Sequence, residues 1–306
     1  MIDMITFLNN EGVLKNLLHE VQEYTAAHPV EGELCNRIPV PHFMYYGTKV
    51  WNESIAALLC GKNILLAGEK ATGKNVLAEN LCTLFQRPAW DISFHVHMDA
   101  SSLIGSDSFE DGKVIFRKGP VYQCAQSGGF GILDEINMAK NEALAVLHSI
   151  LDFRRVMDVP GYLRVELQPE TRFIATMNYN YAGTRELNEA LASRFVVIQM
   201  PLITEENLER LLKDNFTDLT KTYTKQFALL FMDLQKKCES AELSTKALDL
   251  RGLLDAIALM QKGIGVNDAL DLGITNKTMD AYEQELIHDV MHSRISSKVH
   301  PDEVFQ

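Results

Sequence analysis

A parallel α/β sheet followed by a helical domain is the fold class this sequence predicts, and three observations predict it. The run Asn63-Ile-Leu-Leu-Ala-Gly68 enters a short glycine-flanked loop whose last residues open a helical pattern at Lys74. Strand, helix and strand then follow one another as far as Phe94, an order that implies parallel pairing. From Thr204 onward every periodic segment has helical spacing.

Taken in order, residues 1 to about 30 read as helical, with Phe7-Leu8, Val13-Leu14, Leu17-Leu18 and Val21 at three-to-four spacing. Ile38-Pro-Val-Pro41 breaks helix and leads into Tyr45-Tyr46, aromatic residues placed either to wrap a nucleotide base or to pack in the core. A helix from about Thr48 to Leu59 buries Val50-Trp51, Ile55-Ala56 and Leu58-Leu59 and stops at Gly61. After a helix over 74–86, Pro88 starts the extended segment 89–94.

A short helical piece at 100–105 precedes Phe109 to Phe116, where Asp111-Gly112 between extended residues is a strong hairpin signal. A second hairpin reads from Arg155–Val159 through Pro160-Gly161 to Tyr162–Leu167. Between the hairpins, Gly128 to Glu135 is an apolar strand ending in two carboxylates. The strand Arg172–Met177 ends on Asn178, and Phe195–Met200, after Ser193-Arg194, completes the sheet. Farther on, one helix carries Leu208 and Leu211-Leu212, and another runs from Phe227 to Leu234. Ser244-Thr245 caps a third with Leu248, Leu250, Leu253-Leu254, Ile257 and Met260 before Gly263 stops it. A last helix starts near Thr278, with His288, His292 and His300 spaced as a solvated face rather than a metal site. The expected organisation is an N-terminal helical segment (1–40), an α/β core (41–202) and a C-terminal helical domain (203–306).

Composition narrows the function. At 306 residues and 46% hydrophobic, the chain has enough apolar material for one large domain and a smaller one. Its 29 basic and 41 acidic residues give a net charge of −12, which argues against a broad electrostatic grip on nucleic acid or anionic membrane. Five scattered cysteines with no CxxC pair point to neither a zinc ribbon nor a disulfide framework, and fit a reducing cytoplasm. No export or membrane-inserting segment is expected.

The spacing Gly68, four residues, Gly73-Lys74 is that of a phosphate loop, where small residues let backbone N–H groups turn inward around phosphate oxygens. Gly68, Glu69, Lys70, Ala71, Thr72, Gly73, Lys74, Asn75 and Val76 are the expected ATP-contacting run. Lys74 is placed to reach the β- and γ-phosphates. Asn75 stands where a serine or threonine hydroxyl normally meets Mg²⁺. Asp134 and Glu135 suit the paired tasks of holding a cation and polarising an attacking water, or else cap the following turn. Asn178 can hydrogen-bond a phosphate or the lytic water, or simply form a turn.

Together these residues resemble an AAA+ ATPase of the MoxR branch, near the dynein-related subgroup, over about Pro39 to Met260. The motifs are Gly68 to Asn75, the Walker B run Gly131 to Asn137, the sensor 1 strand Ile174 to Asn178, and Ser193-Arg194-Phe195 at the arginine-finger position. The resemblance implies a three-layer αβα core with a five-stranded parallel sheet, two β-hairpin inserts and a helical lid. It implies a hexameric ring with ATP between subunits and Mg²⁺ at Asp134 and Asn75. Catalytic roles fall to Glu135 as water activator, Asn178 as polar sensor and Arg194 acting in trans. The family's serine-x-arginine sensor 2 aligns with Ser244-Thr-Lys246, with Arg251 an alternative on the same helix. Arg185 is a further candidate for a phosphate or subunit contact. MoxR-like proteins often act with VWA-domain partners, so a protein client is expected. Two other readings stay open: a nucleotide-gated assembly protein with feeble hydrolysis, prompted by Asn75, and a nucleic-acid motor subunit resembling GTP-using restriction ATPases, disfavoured by the charge.

Overall fold

The computed structural model describes residues 3–159, 161–162, 164–179 and 185–306. Pro160, Leu163, Gly183 and Thr184, which the sequence reading drew on, lie outside the described residues. Nine strands are present among those described: β1 (Asn63–Gly68), β2 (Ala89–Ser93), β3 (Gly105–Glu110), β4 (Lys113–Lys118), β5 (Phe130–Asp134), β6 (Val156–Met157), β7 (Val165–Glu166), β8 (Arg172–Asn178) and β9 (Phe195–Gln199). Five of them form one parallel sheet in the order β2-β5-β8-β1-β9. β1 is buried at every residue, as a parallel strand covered on both faces should be.

The chain divides into two compact units, Met1–Glu69 with Gly73–Pro201, and Lys70–Thr72 with Leu202–Gln306. In the first, the helices are α1 (Met4–Asn10), α2 (Lys15–Ala27), α3 (Thr48–Leu59), α4 (Lys74–Leu84), α5 (Ala100–Ile104), α6 (Pro120–Ser127), α7 (Asn141–Leu144), α8 (Leu147–Leu151) and α9 (Glu189–Ala192). Alternation along the strands sorts their side chains between two cores. Ile64 and Leu66 of β1, Ile132 of β5 and Ile174 of β8 meet α1 to α4 on one face. Leu65, Leu133, Phe173 and Ala175 meet Val121, Cys124, Leu147 and Ile150 on the other.

The N-terminal stretch is helical, as expected, and is built as two helices, α1 and α2. It breaks at Glu11-Gly12, where Gly12 has φ 77°. The break lets Glu11 accept hydrogen bonds from the Gly47 N–H (3.1 Å) and the Thr48 hydroxyl (2.6 Å). α4 also ends two residues early, because Gln86 turns left-handed at φ 49°. Tyr45 and Tyr46 resolve to packing. Both are buried, Tyr46 edge-on to Phe7 at 5.4 Å between ring centroids, and the Tyr45 carbonyl accepts the Trp51 indole N–H at 2.9 Å.

Both hairpins are present. β3 and β4 form six-residue strands around Asp111 (φ 48°) and Gly112 (φ 76°), two successive positive φ values that give the turn its hairpin twist. β6 and β7 pair over two residues each. The second hairpin reaches the first through Tyr162, whose hydroxyl donates to Asp107 and whose ring lies 4.7 Å from that of Phe116.

The second unit contains α10 (Glu205–Asn215), α11 (Lys221–Glu239), α12 (Leu250–Gln261), α13 (Val266–Gly273), α14 (Ala281–Arg294) and α15 (Pro301–Val304). α12 starts at Leu250, not at the expected Ser244 cap. The reason is a distant competitor, since the Ser244 N–H and hydroxyl both donate to the Glu283 carboxylate, at 2.8 and 3.0 Å. Gly252 presses α12 onto α13 so closely that an added Cβ would sit 2.0 Å from the Gly273 carbonyl oxygen. His288 and His292 stack on α14, and no metal-holding group of three or more His, Cys, Asp or Glu occurs among the described residues. No described helix is long and apolar enough to cross a membrane.

Candidate nucleotide-binding site

β1 delivers the chain to the loop, and α4 begins immediately after Gly73. Ala71 (φ 65°) and Gly73 (φ 78°) both adopt the left-handed region, the backbone habit that turns successive N–H groups into a concave anion cradle. Gly73 is needed twice over, because a Cβ there would also stand 3.1 Å from the Tyr45 ring. Asn80 on α4 fixes that ring's backbone, accepting from the Tyr45 N–H and donating to the Phe43 carbonyl, each at 2.9 Å. The positive end of an eleven-residue helix stands behind the cradle.

Lys74 is buried, and its ammonium donates to the carbonyls of Gly68 (3.1 Å) and Glu69 (2.6 Å). Burial lowers its pKa from 10.5 to about 8, against the opposing pull of Asp134, Glu135 and Glu69. A lowered lysine pKa means the folded chain carries a costly charge below pH 8, relieved as pH rises from about 8 to 10.5. That displacement sets a ceiling of roughly 3 kcal/mol on the cost, and the two carbonyls left without a donor offset part of any gain from removing it. Lys74→Met is therefore expected to stabilise the nucleotide-free protein at pH 7 by about 1 kcal/mol. Urea midpoints across pH should show the advantage shrinking above pH 8, with nucleotide binding lost throughout.

The two carboxylates sit at the end of β5, beside β8. Register aligns Leu133 with Ala175, so Asp134 and Thr176 follow as neighbours on the face that α4 covers. Thr176 is buried, donates its hydroxyl to Asp134 Oδ1 at 2.6 Å and accepts the Glu135 N–H at 2.9 Å. Glu135 is left-handed (φ 54°, ψ 45°), which turns its side chain toward Asn178. The Asn178 amide donates to Glu135 Oε1 at 3.1 Å. Behind them, buried Asn137 donates to the Asn178 carbonyl at 2.8 Å and the Arg185 carbonyl at 3.4 Å, and the Arg185 N–H returns a bond to Asn137 O. Thr176, Asn137 and Asn80 support the site, and the sequence reading gave none of the three a role of its own.

The donors fit Mg²⁺. Among the described residues no hydrogen bond reaches Asp134 Oδ2, and one carboxylate completed by phosphate oxygens and water is the usual way this hard cation is held. Asn75, half-buried on the first turn of α4, offers an amide oxygen of the same class.

Arg194 is placed elsewhere. It precedes β9, whose Phe195 pairs with Asn63 at the far end of β1 from the loop, roughly 16 Å away at strand rise. Its guanidinium donates to the His148 carbonyl at 3.1 Å and to the Ala190 carbonyl, and lies 3.9 Å from Asp152. In its own chain it does not reach the phosphate loop. In the second unit, Lys246 lies exposed on a turn before α12 and Arg251 exposed on its first turn, so the two are not on one helix as expected. Arg185 has an exposed side chain.

Comparison with known proteins agrees with this geometry. The model of the AAA domain of the dynein-related subfamily matches residues 63–195, which run from β1 through the carboxylates to the first residue of β9. The uncharacterized protein YojN of Bacillus subtilis is 30% identical over 295 residues, 94% of this chain and 96% of that protein. The uncharacterized protein SAB1265c of Staphylococcus aureus is 32% identical over 256 residues, 82% of this chain and 97% of its own length. A solved structure from Cytophaga hutchinsonii, provisionally assigned as an ATPase, shares 15% identity and a TM-score of 0.44 over 92% of this chain and 96% of that one, a likeness too slight to argue from. The chain belongs to one family with these bacterial relatives, and its nucleotide-binding core is an AAA domain of the dynein-related subfamily.

Proposed function

We propose that this AAA protein is a Mg²⁺-dependent ATPase of the MoxR-like type that assembles into a ring, six-membered by resemblance, and spends hydrolysis on remodelling or maturing a protein partner in the cytoplasm. The observation that carries the reading is the linked set Asp134–Thr176–Glu135–Asn178 at the strand ends beside a left-handed, glycine-built phosphate cradle. The cradle's N–H groups and Lys74 bind phosphate, the ammonium exchanging two carbonyl partners for charged oxygens. Glu135, oriented by Asn178, takes the proton of the attacking water. The cation, when bound at Asp134 and Asn75, supplies charge neutralisation at the β- and γ-phosphates. What supports the ring is Arg194, which lies at the opposite strand end from its own loop and, by the resemblance, serves a neighbour's. Lys246 or Arg251 supplies the sensor 2 cation. A VWA-domain protein is the client class that the resemblance suggests.

The test is phosphate release by purified protein with ATP, with GTP, and with ATP after chelation of Mg²⁺. Turnover with ATP that chelation abolishes supports the reading, and no turnover under any condition overturns it. Asn75 favours a second reading, a nucleotide-gated assembly protein with slow hydrolysis, because its amide is longer and differently aimed than a threonine hydroxyl. Under that reading Asn75→Thr raises turnover by roughly tenfold or more, the scale of a lost cation ligand. An unchanged rate makes the departure immaterial.

A further inference from the structure

We infer that Thr176 is a positioning residue that sets both carboxylates of the site at once; the inference rests on the ATPase reading. A strand that continued straight through Asp134 and Glu135 would send their side chains to opposite faces. Glu135 escapes this by entering the left-handed region at φ 54° and ψ 45°, a conformation uncommon for a non-glycine residue. The bond that fixes it is the Glu135 N–H to Thr176 Oγ1, at 2.9 Å. The same oxygen's proton goes to Asp134 Oδ1 at 2.6 Å, which turns that carboxylate so that Oδ2 is the oxygen left for a cation. One buried hydroxyl, donor to one acid and acceptor from the next residue's backbone, therefore couples the metal-side carboxylate to the water-side carboxylate. No other side chain among the described residues bonds to both residues. Two residues along the same face of β8, Asn178 then meets Glu135 Oε1. Asn137 ties the turn after Glu135 to the Asn178 carbonyl.

Valine keeps the shape of threonine and removes the hydroxyl, so Thr176→Val isolates the two bonds. The expected result is a fall in kcat of about 10- to 100-fold with KM for ATP within about threefold, the pattern of a group that orients the reacting acids without holding substrate. The Mg²⁺ concentration for half-maximal rate should rise severalfold. Thr176→Ser, which restores the hydroxyl, should recover the rate to within about threefold of the parent. A valine variant at the parental rate, or a serine variant as slow as valine, overturns the inference. Thr176→Ala repeats the comparison should the valine variant not fold. A second readout needs no turnover. In nucleotide-free protein, the Glu135 amide should exchange its hydrogen about tenfold faster in the valine variant and return to the parental rate with serine. Equal exchange in all three overturns the inference. A parent without turnover whose exchange still follows this order sinks the ATPase reading and leaves Thr176 as the residue that sets the turn.

Discussion

Glu135→Gln is expected to lower phosphate release by about 10²- to 10⁴-fold while ATP still binds, the range for loss of a general base. The substitution is nearly isosteric, so the left-handed turn at Glu135 and its backbone bond to Thr176 persist. The lost element is the proton acceptor. The Asn178 amide, which donates to Glu135 Oε1 at 3.1 Å, can still meet the glutamine carbonyl, so the side chain keeps its place. Binding of a fluorescent ATP analogue alongside phosphate release separates the two steps. Parental turnover in the glutamine variant would move the catalytic base elsewhere and remove the main support for hydrolysis at this site.

Arg194→Ala carries the second large effect, a loss of about 10³-fold or more if its guanidinium stabilises charge at a neighbour's γ-phosphate. The structure makes the expectation sharp, because parallel pairing of β9 with β1 puts Arg194 at the opposite strand end from its own loop. Its present partners are the carbonyls of His148 and Ala190, with Asp152 at 3.9 Å, and Asp152 retains Arg154 when Arg194 is removed. Stability should therefore change little, which a thermal midpoint checks. The decisive measurement mixes two inactive variants. A site built from an Arg194→Ala subunit and a Glu135→Gln neighbour has its own Glu135 and the neighbour's Arg194, so the mixture should regain turnover. No recovery on mixing would confine Arg194 to the helix-end contacts it makes within one chain.

The parts of this fold that local chemistry dictates are legible in the sequence. β1 followed by a glycine-flanked loop, Asp111-Gly112 between extended residues, and the apolar run ending at Asp134 each depend on neighbours a few positions away. What escaped depends on distant partners. Ser244 looks like a helix cap until Glu283, 39 residues on, takes both its donors. The N-terminal helical pattern does not mark its own break, at which Glu11 is claimed by Gly47 and Thr48. Thr176 is an ordinary strand threonine unless β5 and β8 are known to be adjacent and in register, and only then does it stand beside Asp134. Tyr45 could equally serve a base or the core, and what decided it was Asn80 drawing its backbone against α4.

The bond between Tyr162 and Asp107 has a mechanical consequence. The first hairpin is rooted in α5 and α6, whereas the second runs directly into β8, the strand that ends in Thr176 and Asn178. Two hairpins pinned together, the first at Asp107 midway along β3 and the second at Tyr162, share any load applied to either. A push on the exposed end of the first, where Phe109 and Val114 pair across the strands, is thus borne in part by the root of the second. That root is continuous backbone with the residues that hold the paired acids.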